Sequence, residues 1–187
     1  NGRAASTIKT DLAAIRFFHD QMPQVKYDTL PDNSMLDLER RSFGKVDRTW
    51  SEREFNRMIG KAWGEGREDY AAALCLARYC GLRIHEVFRL DTAAAERALK
   101  AGALTIKGKG GKVRTVPLEE TPRIELTKML AQTQRGHKLF VPDDMPTDRA
   151  INNFQCFIYR YRSAVQDADS HRPMTCHGLR HTYAVEQ

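Results

Sequence analysis

The sequence contains no apolar run near the roughly 18 residues that a membrane span requires. Its start lacks the charged, apolar and small-residue order of a secretory leader. Four cysteines, Cys75, Cys80, Cys156 and Cys176, form no C-x-x-C pair. That spacing argues against a zinc or redox pair and suits free thiols in a reducing compartment, so a cytoplasmic location with no membrane contact is expected. No internal repeat or low-complexity tract is present, which sets aside solenoid and linker-like architectures. The first residue is Asn1 rather than methionine, and an upstream portion is expected to be missing.

What is present is an ordinary globular composition, 41% hydrophobic and 29% charged over 187 residues, enough for one full domain and a smaller piece. Thirty Lys and Arg against 24 Asp and Glu leave a net charge of +6. That balance fits a nucleic-acid partner without requiring one.

Hydrophobic spacing predicts an amphipathic helix over 7–22, with Ile8, Leu12, Ile15, Phe18 and Met22 on one face. A polar segment with Pro23, Pro31 and Asn33 follows and reads as a linker. Ser51 and Glu54 have the spacing of a capping box, ahead of a face made by Phe55, Met58, Ile59, Ala62 and Trp63. The segment from Glu68 to Cys80 is apolar nearly all round and should be central, with Gly81 ending it. A further helix starts near Arg83 and turns Ile84, Val87 and Phe88 inward. Leu104–Ile106 and Val113–Leu118 alternate as strands around a glycine-rich turn, giving a hairpin. Thr121-Pro122 opens another helix, 147–166 carries the stripe Ile151, Phe154, Ile158, Tyr161 and Val165, and a last helix follows Thr175 or Cys176. The expected class is mostly α with a small antiparallel β-sheet (α+β).

Three polar groups stand out. Arg83 falls in the first turn of its helix, where the dipole disfavours a cation. Either an anion docks there, or Arg83 pairs with Glu86 as a surface contact. Arg180 repeats the pattern in His177-Gly-Leu-Arg180-His181, so two guanidiniums and an imidazole could hold one phosphate. The same histidines, with Cys176 or His171, could instead face a metal. However, H-E-x-x-H is not met, no second ligand pair with metal spacing exists, and Arg180 would repel a cation. The hairpin tip carries Lys107, Lys109, Lys112 and Arg114. It does not satisfy the nucleotide-binding loop pattern G-x-x-x-x-G-K-[ST], and reads either as a DNA-reaching loop or as a solvated basic turn.

Together these stretches resemble the catalytic domain of the tyrosine recombinases, or phage integrases. Gly81-Leu-Arg83-Ile-His-Glu86-Val-Phe-Arg-Leu90 looks like the first-arginine box of that family. Thr105 to Leu118 looks like its lysine hairpin, and His177-Gly-Leu-Arg180-His181-Thr-Tyr-Ala like its H-x-x-R box. The resemblance covers about residues 48–187. It implies a division into 1–25, the last helix of a core-binding domain; 26–47, a linker; and 48–187, a catalytic domain lacking its C-terminal end.

It also implies a site-specific enzyme of mobile DNA that cleaves and rejoins strands through a 3′-phosphotyrosyl intermediate, without metal or cofactor. Arg83 and Arg180 would stabilise the reacting phosphate, Lys109 would protonate the departing 5′-hydroxyl, and His177 would assist as acid, base or hydrogen-bond partner. Lys107, Lys112 and Arg114 would contact double-stranded DNA, and His181 would pack or hydrogen-bond behind the grip. No tyrosine matches the nucleophile, which is expected outside these residues, so the chain itself is expected to be inactive in cleavage. The whole protein would assemble as a tetramer on DNA, and this chain would be a monomer. A type IB topoisomerase-like enzyme and a non-catalytic DNA-binding relative are the alternatives.

Overall fold

The structure is a computed structural model that describes residues 4–22, 30–36, 47–108 and 111–186. The chain forms two compact units, Asn1–Lys45 and Val46–Gln187. In the first, helix α1 (Ala5–Asp20) leaves Ile15, Phe17 and Phe18 exposed, and the Arg16 guanidinium donates to Pro31 O and to Asn33 Oδ1, the latter at 2.9 Å. Most of the expected linker, residues 26–47, lies outside the described residues.

In the second unit the expected capping box is present. Ser51 Oγ accepts from Glu54 N at 3.1 Å and Glu54 Oε2 from Ser51 N at 2.8 Å, starting α2 (Glu52–Gly64). Phe55, Met58 and Ala62 are buried, as their spacing predicts. Trp63 is not: it lies at the margin of that stripe near the helix end, 58% exposed, with the Lys128 ammonium 5.8 Å from its ring.

Helix α3 (Glu68–Tyr79) buries every residue from Tyr70 to Arg78 and packs against α2 and against the helices at Glu120–Gln132 and Cys176–Glu186. It is the central rod of the core. A short helix α4 (Ile84–Val87) follows, with Arg83 as its N-cap rather than a first-turn residue. Helix α5 (Thr92–Ala101) is not among the expected elements. Its inner face is mostly alanine, and its sequence signal is the Asp91 cap, which accepts from Ala94 N at 2.7 Å.

Strands β1 (Ala103–Lys107) and β2 (Val113–Pro117) pair antiparallel, Leu104 opposite Val116 and Ile106 opposite Arg114. Helix α6 (Glu120–Gln132) takes Glu119, not Thr121, as its N-cap. Pro122 still sits within the first turn, where its missing N–H costs nothing. Helix α7 (Thr147–Val165) inserts Phe154 and Phe157 against Tyr70, with ring centroids 5.0 and 5.2 Å apart. Helix α8 (Cys176–Glu186) closes the unit, and Arg180 therefore opens its second turn rather than lying in its first. No helix among the described residues is long and apolar enough to cross a membrane.

Glu54 does more than cap. Its fully buried carboxylate also accepts from Asp167 N at 3.1 Å and from Arg172 Nη2 at 3.2 Å, tying the α7–α8 loop to the start of α2. Glu54→Ala orphans these donors and should destabilise the protein by about 3 kcal/mol, read as the shift in a urea unfolding curve.

Candidate functional site

The site forms where the end of α3, the α4 turn, β2 and α8 meet. Gly81 makes the turn after α3 at φ +56°, a left-handed conformation suited to glycine. A Cβ there would also lie 2.4 Å from the Tyr183 ring, so no larger residue fits without displacing that ring. This turn aims the Gly81 carbonyl into the site, where it accepts from Arg180 Nη1 and, at 3.4 Å, from Arg114 Nη2.

Glu86 organises the other side. It is 4% exposed, and its Oε2 accepts from the Arg83 backbone N–H at 2.8 Å and from Arg114 Nη2 at 2.7 Å. Its Oε1 accepts from Arg83 Nη1 at 3.2 Å and Arg114 Nη1 at 3.0 Å. Burial alone would raise its pKa, but the Arg114 hydrogen bonds and the Arg83 N–H outweigh it and hold the carboxyl at about 2. Two guanidiniums thus share a single carboxylate, and a third, that of Arg180, is held next to them on the Gly81 carbonyl. Burial, then the charges of Arg114 and Arg83, push the Arg180 pKa down, the mark of a cation short of counter-charge.

His177 lies on the outer face of α8, its ring 5.0 Å from and edge-on to that of His181. Desolvation, then the charges of His181, Arg48, Arg180 and Arg83, lower its pKa, so the neutral imidazole dominates at neutral pH. His181 is exposed beside His177 and does not pack behind it as expected, because the inner face of α8 is filled by Gly178, Leu179 and Thr182. Among the described residues no group of three His, Cys, Asp or Glu is placed to hold a metal.

The hairpin residues divide. Lys107 and Lys112 are exposed near the tip, whereas Arg114 folds back onto Glu86. Lys109 lies outside the described residues; its neighbour Gly108 is close to the cluster, since a Cβ there would sit 3.9 Å from Glu86 Oε1 and 4.0 Å from Arg83 Nη1. Glu86, buried at the centre of this cluster, is the residue that sequence reasoning undervalued, as a surface partner of Arg83.

Of the tyrosines, Tyr183 stacks over Gly81, Tyr161 donates to Glu65, and Tyr159 is exposed with the Arg162 guanidinium 4.0 Å from its ring.

The model of the phage integrase family matches residues 51–186, which contain every residue of this cluster. The chain belongs to that family. No curated protein matches this phage integrase family member in sequence. Among solved structures, an integrase from mycobacterium phage Brujita is 21% identical with a TM-score of 0.56, over 99% of this chain and 59% of that one. The Tn1549 transposon integrase in complex with transposon right end DNA is 15% identical at a TM-score of 0.66, over 99% of this chain and 67% of that one. The XerH site-specific recombinase bound to difH substrate is 16% identical at 0.59, over 95% and 52%. The shared fold is the tyrosine recombinase catalytic domain, mostly helical with a two-stranded antiparallel sheet, and this integrase chain spans about half to two thirds of these proteins.

Because the folded-state pKa of Glu86 is depressed, its contribution to stability is complete above the ordinary carboxylate range near pH 4.5. It is lost as pH falls toward about 2. Glu86→Gln should lower stability at pH 7 by on the order of 2 kcal/mol and flatten the acid limb over that window, measured by denaturant unfolding across pH.

Proposed function

We propose that this chain carries the phosphate-holding part of a site-specific DNA recombinase, which cleaves and rejoins strands through a 3′-phosphotyrosyl intermediate. The observation that supports this best is the charge imbalance around Glu86: Arg83 and Arg114 share its carboxylate, while Arg180 has only the neutral Gly81 carbonyl, beside a neutral imidazole and the root of a basic hairpin. A phosphodiester anion would satisfy that imbalance, and a cation would worsen it.

In this reading Arg83 and Arg180 bind the non-bridging oxygens of the scissile phosphate and stabilise the charge that builds on them in the transition state. Arg114 is held by Glu86 and Gly81, the same two acceptors that hold Arg83 and Arg180. A tyrosine from outside residues 1–187 attacks phosphorus, forming the phosphotyrosyl bond as the 5′-oxygen departs. Lys109 gives that oxygen its proton, and neutral His177 accepts a proton or hydrogen bond at the phosphate. Religation reverses these steps with a second strand's 5′-hydroxyl, and no metal or external energy source is called for. Lys107 and Lys112 would rest on flanking backbone. Residues 1–25 would be the last helix of a core-binding domain and 48–187 the catalytic domain, the whole protein acting as a tetramer on DNA and this chain as a monomer.

Residues 1–187 should bind duplex DNA with a clear salt dependence, and Arg83→Gln or Arg180→Gln should each weaken binding about tenfold in fluorescence anisotropy. Binding unaffected by both substitutions would contradict the assignment. With a nicked trapping substrate this chain should give no covalent protein–DNA adduct. An adduct would place the nucleophile among its own tyrosines.

A further inference from the structure

The helix that carries His177 and Arg180 is bound to the segment just before α2 by an unusually close backbone crossing. A Cβ at Gly178 would lie 2.3 Å from Arg48 O and 2.7 Å from Trp50 Nε1, so the chain at 48–50 runs directly over the inner face of α8 at Gly178, the neighbour of His177. Trp50 pins the crossing at both ends: its backbone N–H donates to Thr182 Oγ1 at 2.9 Å and its indole to Thr175 O at 3.1 Å. Trp50 itself is buried. Asp47 fixes the approach, accepting from Thr49 N and Thr49 Oγ1 at 2.8 Å each and pairing with Arg172 at 3.6 Å.

Arg48 is the residue held between these anchors. It is exposed, and it has no carboxylate partner among the described residues. Its neighbours Asp47 and Arg172 are committed to each other, and Arg53 and Arg57 lie beside Asp167. The charge of Arg48 also bears on His177, together with His181, Arg180 and Arg83. An unpaired guanidinium on a rigid backbone within electrostatic reach of a site already rich in cations costs repulsion unless an anion is shared.

We propose that Arg48 is a further DNA-phosphate-binding residue of this site, delivered from the segment before α2 by the crossing over Gly178 and contacting the strand on the His177 side of the grip. The inference rests on the DNA-binding reading above. It adds a cation that belongs to none of the three motifs.

The test compares residues 1–187 carrying Arg48→Gln, Arg48→Lys or Arg83→Gln with the unsubstituted chain. Duplex DNA affinity is measured from low to moderate salt, and His177 is titrated by NMR without DNA. Arg48→Gln should weaken binding several-fold and reduce the slope of log affinity against log salt by about one, whereas Arg48→Lys should keep the slope. Removing this cation should also raise the His177 pKa in the DNA-free protein, which a purely structural role for Arg48 would not do. An unchanged salt slope in Arg48→Gln, with Arg83→Gln impaired, overturns this inference alone. Absence of salt-dependent binding by the unsubstituted chain overturns both readings, and an unchanged His177 titration puts Arg48 out of electrostatic reach of the site and overturns this inference.

Discussion

The site depends on one buried carboxylate. Glu86 is nearly inaccessible, yet four hydrogen bonds from Arg83 and Arg114 keep it ionised far into acid. An ion so buried is tolerable only with close opposite charge, and here it meets more than it needs. The Gly81 carbonyl, aimed inward by the left-handed turn, adds a second fixed acceptor that draws Arg180 toward the same place. Orientation is therefore built into the resting protein: the guanidiniums of Arg83, Arg114 and Arg180 are each already held by a fixed acceptor.

Holding α8 is the complementary task, because its outer face carries His177 and Arg180. Its inner face is secured by Leu179 and Thr182, the latter accepting the Trp50 N–H. Its end is tied by the salt bridge of Arg78 to Glu186 at 2.8 Å, while the buried Arg78 guanidinium lies 5.0 Å from the Phe55 ring. These anchors come from α3 and from the segment before α2, elements far from α8 in sequence. The apolar rod of α3 thus serves the site as well as the core: its end supplies Gly81, and its flank supplies Arg78.

Much of this was legible in sequence. The Ser51–Glu54 spacing, the apolar α3 and the alternation around Gly108-Lys-Gly-Gly each map directly onto an observed element, because each signal is local. The boxes around Arg83 and Arg180 pointed to the residues that gather at the site. Helix α5 escaped because alanines at its inner positions carry little periodic hydrophobic signal. Glu86 escaped because a carboxylate three residues after an arginine reads alike whether solvated or buried. Arg114 had a usable signal: it stands opposite Ile106 and two residues before Val116, both buried, so strand alternation directs it to the inner face rather than the loop tip. The crossing of Arg48 over Gly178 spans some 130 positions and has no local signature.

The most direct measurement is an experimental structure of residues 1–187 with a short DNA duplex. The account predicts a backbone phosphate within about 3.2 Å of guanidinium nitrogens from both Arg83 and Arg180, with Glu86 still holding Arg114. A duplex seated elsewhere, for example over the Arg53, Arg57 and Arg172 surface with the Glu86 cluster empty, would contradict it.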